Sequence, residues 1–391
     1  MLRLNKVLIF TLVLIPGVAS AQFDSGSDGS YGPLVVSASD PTPLVLNLPA
    51  DGIIRATTVS IANSHTLAFN RNALNTPVII LATGDVNING FIFLSGGNGN
   101  TSTGGLGGPG GFNGGSPGAE GVPPGAGYGP GAGLPGDRSV NLTTAAGGAA
   151  YGTKPSQNSN VQDGDIYGSP LLIPLIGGSG GGGTDNVGGN PSGGGGGGGA
   201  LLIASNTKIS VASGRGILAN GGTGNFGNGG SGGAVRLVAP VVEGNGFIQL
   251  YGPGFGGDGG LGRGRIDTLD RTNLGVTFDP PVSGTVGSFM VAIPDVNPRL
   301  DIIQVAGQNI PLGSGPVSIT LPFGTNPSQN VVVQATDFEG MVDIDVVVTP
   351  ENGTREIFPA TIDATGGGTA QVSVPVQIPL NTGVLIHAWT R

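Results

Sequence analysis

Ala234-Val235-Arg236-Leu237-Val238-Ala239, followed by Asn245-Gly246-Phe247-Ile248-Gln249-Leu250, is the stretch on which the fold turns. The same grammar occurs earlier, in Pro77-Val78-Ile79-Ile80-Leu81-Ala82 and then Asn89-Gly90-Phe91-Ile92-Phe93-Leu94, so the two blocks share the string N-G-F-I-x-L at nearly the same offset. A looser copy runs through Ala200-Leu201-Leu202-Ile203-Ala204, Ile209-Ser210-Val211 and Gly216-Ile217-Leu218-Ala219, and a fourth begins at Gly264-Arg265-Ile266-Asp267. Each copy reads as short strands broken by Gly, Asn or Asp corners over about 20 to 25 residues, the length of one coil of a parallel β-helix. Period-two alternation then stacks Val235, Leu237 and Ala239 on Leu201 and Ile203, and sends Arg236 to solvent. Hairpins of an antiparallel barrel are the competing reading; the shared string and the scarcity of two-residue hairpin turns favour the solenoid.

Outward from these repeats, residues 31 to 69 have the same texture and read as opening coils or a strand cap. Between the first and second copies lies an insertion, residues 95 to 199, that holds much of the chain's 79 glycines. Gly105, Gly108, Gly111 and Gly114 recur every third residue, and Gly115, Gly118 and Gly121 resume the period after a slip of one. That spacing permits close-packed extended helices of the polyproline-II kind; a set of flexible surface loops is the alternative, and the broken register excludes strict collagen.

Composition changes at Asp279-Pro280-Pro281, where the glycine tracts stop apart from Gly366 to Gly368. Residues 285 to 391 offer strand candidates at 289–293, 302–305, 317–321, 331–335, 342–348, 370–376 and 384–389, with turn signals every 8 to 12 positions, as in an immunoglobulin-like sandwich. The expected fold class is therefore all-β: a parallel β-helix (solenoid) over 22–278 with a long Gly-rich insertion, a linker at 279–284 and an immunoglobulin-like β-sandwich over 285–391.

Arg3 and Lys6 precede an apolar run from Val7 to Ile15, and Ala19-Ser20-Ala21 supplies the small residues a signal peptidase reads, so residues 1–21 are expected to be a signal peptide cleaved before Gln22. No later segment approaches the roughly 18 apolar residues of a membrane-spanning helix. The expected location is periplasmic, cell-surface or secreted in a bacterium. Cysteine is absent, which excludes disulfides, thiolate nucleophiles and cysteine zinc sites. Loss of Arg3 and Lys6 would take the net charge from -9 to -11, which argues against nucleic acid and anionic membranes as partners.

The strings Tyr167-Gly168-Ser169-Pro170-Leu171-Leu172-Ile173-Pro174-Leu175-Ile176-Gly177-Gly178-Ser179 and Gly232-Gly233-Ala234-Val235-Arg236-Leu237-Val238-Ala239-Pro240, with the oligoglycine before Ala200, resemble those of a largely uncharacterised group of exported Gly-rich bacterial proteins. The resemblance covers roughly residues 24 to 267. It implies a secreted parallel β-helix with Gly-rich insertions and carries no catalytic residues across.

Candidate chemistry is sparse. His65 and His387 are the only histidines and fall in separate expected domains, so a multi-histidine zinc centre is excluded. The glycine runs match nucleotide fingerprints only by accident, since none follows a buried strand and opens a helix. Asp258 sits in half a calcium nonapeptide without its second aspartate, and Asp343 and Asp345 alternate with apolar residues as on a solvated strand face. Acid/base depolymerisation of a polysaccharide would fall to Arg265, Asp267 and Asp258, with Asp85 as the comparable acid in the first coil. The leading expectation is a non-enzymatic secreted or cell-surface structural protein serving surface or matrix attachment, without cofactor or metal. The alternatives are a carbohydrate-binding adhesin and a β-helix depolymerase. For the adhesin, Phe112, Tyr128, Tyr151 and Tyr167 of the Gly-rich segment are the candidate sugar contacts, with Phe255 in a later tract, against an extracellular glycan or envelope component. The bland role for these aromatics is to pin loops onto the coils.

Overall fold

The computed structural model describes residues 23–136, 146–155, 162–185, 191–224, 228–253 and 259–391. The expected signal peptide, Phe255 and Asp258 lie outside these residues. Among them there is no α-helix, and no helix long and apolar enough to cross a membrane.

Among the described residues fifteen strands precede residue 288: β1 (Gly32–Val36), β2 (Leu44–Asn47), β3 (Ile53–Ile61), β4 (Thr66–Asn70), β5 (Val78–Ala82), β6 (Val86–Ile88), β7 (Phe91–Phe93), β8 (Ala200–Ser205), β9 (Lys208–Val211), β10 (Gly216–Leu218), β11 (Ala234–Glu243), β12 (Phe247–Gln249), β13 (Arg263–Asp270), β14 (Thr277–Asp279) and β15 (Gly284–Gly287). They make two sheets, one of nine strands and one of six in the order β14-β12-β10-β7-β4-β2. Every pairing in both is parallel, and Ile54, Ile61, Leu67, Ile80, Ile92, Ile203, Leu237 and Ile248 form the shared core.

The expected parallel β-helix solenoid is corrected by these pairings. In the larger sheet β3, β5, β8, β11, β9 and β6 close into a ring of six parallel strands, because β11 pairs with both β8 and β9 and β3 with both β5 and β6. The physical reason is strand length. β3 has nine residues and β11 ten, so each spans two successive neighbours on the same side, and a ladder of equal single coils does not result.

The neighbour relations read from the repeats are found, with Val235 opposite Leu201 and Leu237 opposite Ile203. Arg236 is not solvent-facing: it is 1% exposed. Residues 289–292, with Phe23 and Leu175, cover the outer face of the nine-stranded sheet over β5, β8 and β11 and bury Leu81, Leu202, Ala204 and Val238. Parallel strands covered on both faces read as continuous apolar runs, which is why Ala200-Leu201-Leu202-Ile203-Ala204 shows no alternation.

Downstream, β16 (Arg299–Val305), β17 (Gln308–Asn309), β18 (Ser328–Thr336), β19 (Gly340–Pro350), β20 (Glu356–Ala364), β21 (Thr369–Gln377) and β22 (Val384–Thr390) form antiparallel sheets in the orders β17-β16-β18-β21 and β20-β19-β22. Val331, Val333 and Val374 of one and Ile344, Val346 and Ile362 of the other share a core. The strand candidates at 289–293 and 317–321 are not strands, and β17 and β20 fall outside the candidate ranges. The boundary also moves: β15 pairs with β13, so residues 284–287 belong to the parallel part and the antiparallel part starts at Arg299.

Candidate functional site

The Gly-rich tracts are an ordered layer. Residues 193–200 run through its middle as an extended chain whose N–H groups point in three directions with a period of three. Gly193, Gly196 and Gly199 donate to Asn100, Gly97 and Leu94; Gly194, Gly197 and Ala200 donate to Gly115, Phe112 and Pro109; Gly195 and Gly198 donate to Asn228 and Ser231, all at 2.7–3.0 Å. Their carbonyls accept in return from Gly105, Gly108, Gly178, Gly181 and Gly222. This is the close-packed arrangement that a glycine every third residue allows, and the flexible-loop alternative does not hold for the described tracts. A side chain has no room there: a Cβ on Gly194 or Gly197 would lie 1.9 Å from the carbonyl oxygen of Gly181 or Gly178. The layer is continuous with the six-stranded sheet, since Leu94 and Gly96 donate to Leu218 and Asn220 beyond the ends of β7 and β10.

The four aromatics expected as sugar contacts lie inside or under this layer, not on an open face. Tyr151 is 1% exposed and its ring packs 4.6 Å from that of Tyr167. The Tyr167 hydroxyl donates to the Gly177 carbonyl at 2.6 Å and accepts from Ser179 Oγ at 3.0 Å. Burial raises the pKa of both phenols, so each stays neutral as a hydrogen-bonding pin. Tyr128 is half-buried, and burial together with the nearby Glu351 charge raises its phenol too. Phe112 stands edge-on to Trp389 at 5.4 Å and to His387 at 6.4 Å, while His387 and Trp389 stack on each other at 5.0 Å. The bland role, pinning, is the one their surroundings describe.

Phe112 therefore marks a junction between the glycine layer and the antiparallel part. Ser116 Oγ donates to the Glu351 carbonyl at 2.6 Å, Gly353 N to Pro124 at 2.9 Å, and Arg355 Nη1 to Gly129 at 3.0 Å. Burial at this junction pushes the His387 pKa down from 6.5 to about 4. A base whose folded pKa lies below its unfolded value stabilises the fold above the unfolded pKa and loses that contribution as pH falls. Between pH 6.5 and 4 the junction should lose up to about 3 kcal/mol through this group. The check is denaturant unfolding of the wild type and His387→Phe across that range. Burial raises the Asp345 carboxyl, which faces Trp389 across β19 and β22 and pairs with Arg391 at 3.3 Å, but it titrates in both proteins. The difference between the two slopes isolates the histidine.

The groups expected to carry acid/base chemistry are engaged elsewhere. Asp267 is fully buried and takes a two-pronged contact from Arg265 at 2.8 Å on each oxygen, with Arg236 Nη2 at 3.1 Å and the Phe289 N–H at 2.9 Å. Asp85 accepts from Thr207 at 2.6 Å. An open polar depression of about 460 Å³ beside Asn245 and Asn273 has one lining carboxylate, Glu243, paired with Lys208 at 3.1 Å. His65 bonds the Asn63 carbonyl at 3.0 Å. Among the described residues no three His, Asp or Glu side chains group as metal ligands.

The outer face of the six-stranded sheet is a surface that the sequence reading did not single out. Register places Val45, Ala68, Phe93, Leu218, Gln249 and Asp279 in one row across the six strands. A second row holds Thr66, Phe91, Gly216, Phe247 and Thr277, and the Phe91 and Phe247 rings stand 6.4 Å apart across the side-chain-free Gly216. Beside these lie linked polar groups: Asn70 donates to Asn47 at 2.8 Å, Asn220 to Gln249 at 2.7 Å, Gln249 to Asp279 at 3.1 Å and the Tyr251 hydroxyl to Asp279 at 2.6 Å. The signal was present in Phe91-Ile92-Phe93: with Ile92 in the core, period two turns both phenylalanines outward. Comparison with protein-family models, curated proteins and solved structures finds no match, so the functional reading rests on this geometry.

Proposed function

We propose that this protein is an exported, non-catalytic scaffold of the bacterial periplasm or cell surface that attaches to an extracellular glycan or envelope component. The observation that carries the reading is the cross-bonded glycine layer joined to parallel sheets on one side and antiparallel sheets on the other. Such a layer fixes the backbone of many residues whose side chains contribute nothing to chemistry, a large entropic cost that is offset by backbone hydrogen bonds and rigidity. Charged groups with neighbours are spent on internal pairs such as Asp267 with Arg236 and Arg265.

The test is limited proteolysis with mass spectrometry on the exported chain, read beside co-sedimentation with purified bacterial envelopes. Resistance of the tracts around 105–118 and 193–200 and retention on envelopes are expected, with an N-terminus at Gln22. Rapid cutting within those tracts, or a protein that stays wholly in the supernatant, would remove the reading.

A further inference from the structure

We propose that the attachment surface is the outer face of the six-stranded parallel sheet, and that its ligand is a neutral polysaccharide laid across the strands. This rests on the attachment reading and names the site and the ligand class for it.

Parallel sheets are ordinarily covered on both faces, and the middle of the nine-stranded sheet, at β5, β8 and β11, follows that rule through residues 289–292, Phe23 and Leu175. On the six-stranded sheet the inner face is covered by the shared core, and among the described residues none packs over Val45 and Phe93 of the outer face deeply enough to bury them. On the outer face Val45 is 45% and Phe93 46% exposed, in one row with the half-buried Ala68 and Leu218. Four strands at the usual spacing make that apolar row about 15 Å long, and it is nearly flat because its members sit at one register position of adjacent strands. The row then changes character without changing direction, into Gln249 and Asp279.

A hexose polymer presents that combination in reverse: C–H faces that stack on flat apolar and aromatic surface, and equatorial hydroxyls that need both donors and acceptors at the margin. The margin supplies amides at Asn47, Asn70, Asn220 and Gln249, a carboxylate at Asp279 and a phenol at Tyr251, which is 39% exposed. These groups are already linked to one another, so they are held in place before a ligand arrives and the ordering cost of binding falls. Charge selects among polymers. Arg215 lies 5.3 Å from the centre of the Phe91 ring and donates to Asn63, while the row through Phe93 ends on the Asp279 carboxylate. An anionic polysaccharide, a nucleic acid or an anionic lipid surface would meet Asp279 and a chain of net charge -9.

The experiment is affinity electrophoresis of the full chain in gels containing hydroxyethyl cellulose, xyloglucan, laminarin or dextran, with polygalacturonate as the anionic comparison. Retardation by at least one neutral polymer and not by polygalacturonate is expected. Phe93→Asp should weaken it at least 10-fold, while Val282→Asp, on an apolar residue 78% exposed outside the rows, should leave it unchanged. Thermal melts of both variants must match the wild type, and Phe93→Tyr should keep the retardation. Three results overturn the inference: no retardation by any neutral polymer, retardation indifferent to Phe93→Asp, or a wild-type dimer in sedimentation that Phe93→Asp dissociates, which would assign the face to a second copy. Envelope co-sedimentation that persists while neutral polymers fail would overturn this inference and leave the attachment reading standing.

Discussion

Gly197→Ala should abolish folding or cost well over 3 kcal/mol, although it adds a single methyl group. The Cβ would fall 1.9 Å from the Gly178 carbonyl oxygen and 2.2 Å from its carbon, distances at which the backbone must part. Separation cannot stay local, because Gly197 donates to Phe112 and accepts from Gly108 while its neighbours Gly196 and Gly198 bond four further tracts. The usual price of alanine for glycine has the opposite sign: at a relaxed position it stabilises by about 0.4–1 kcal/mol by restricting the unfolded chain. Gly366 provides that comparison, since nothing lies within 4 Å of its Cβ position and its backbone has no left-handed φ. Circular dichroism melts of the two variants should therefore move in opposite directions. Equal, small shifts for both would show that the layer is loosely packed and that its hydrogen bonds do not hold the fold.

The sequence made the all-β class and the strand neighbours legible, and it left their closure hidden. The repeated N-G-F-I-x-L string marks β7 and β12, where one buried face imposes period two, and the runs at 200–204 and 234–239 mark β8 and β11, which are buried on both faces. Local pattern does not state that β3 and β11 run on past one neighbour to the next, since Ile53–Ile61 carries the same texture as two short strands separated by a turn. Arg236 departs from its expected solvent-facing place for a related reason. Alternation assigns it to the outer face correctly, but what covers that face comes from residues 289–292, more than fifty positions downstream. The aromatics of the Gly-rich segment are covered on the same ground: a tyrosine among glycines reads as exposed, whereas Tyr151 and Tyr167 fill the space glycines leave. Triplet spacing did disclose the layer's geometry, though not whether neighbouring tracts would be there to bond it.

Asp267→Ala should be the most destabilising change outside the glycine layer, at about 3–5 kcal/mol, because it strands two guanidinium groups. Arg236 is 1% exposed and Arg265 is 13% exposed in its side chain, so neither can recover its lost hydrogen bonds from water without opening the structure. Part of the cost is transmitted along the chain. Asp267 Oδ1 accepts from the Phe289 N–H, and Arg236 donates to the Phe289 and Ala292 carbonyls, so the carboxylate and Arg236 together pin the segment that seals the nine-stranded sheet. With that segment loosened, Leu81, Leu202 and Val238 lose their cover, and protease sensitivity should appear first near residues 289–293. Removing the charges together separates the two contributions. Arg236→Met with Asp267→Ala leaves fewer buried charges than Asp267→Ala alone, so the double variant should be the more stable of the two in urea unfolding. If the single variant unfolds at the wild-type urea concentration, the ion cluster is not what holds residues 289–293 against the sheet, and apolar contact through Ala292 and Met290 must do so alone.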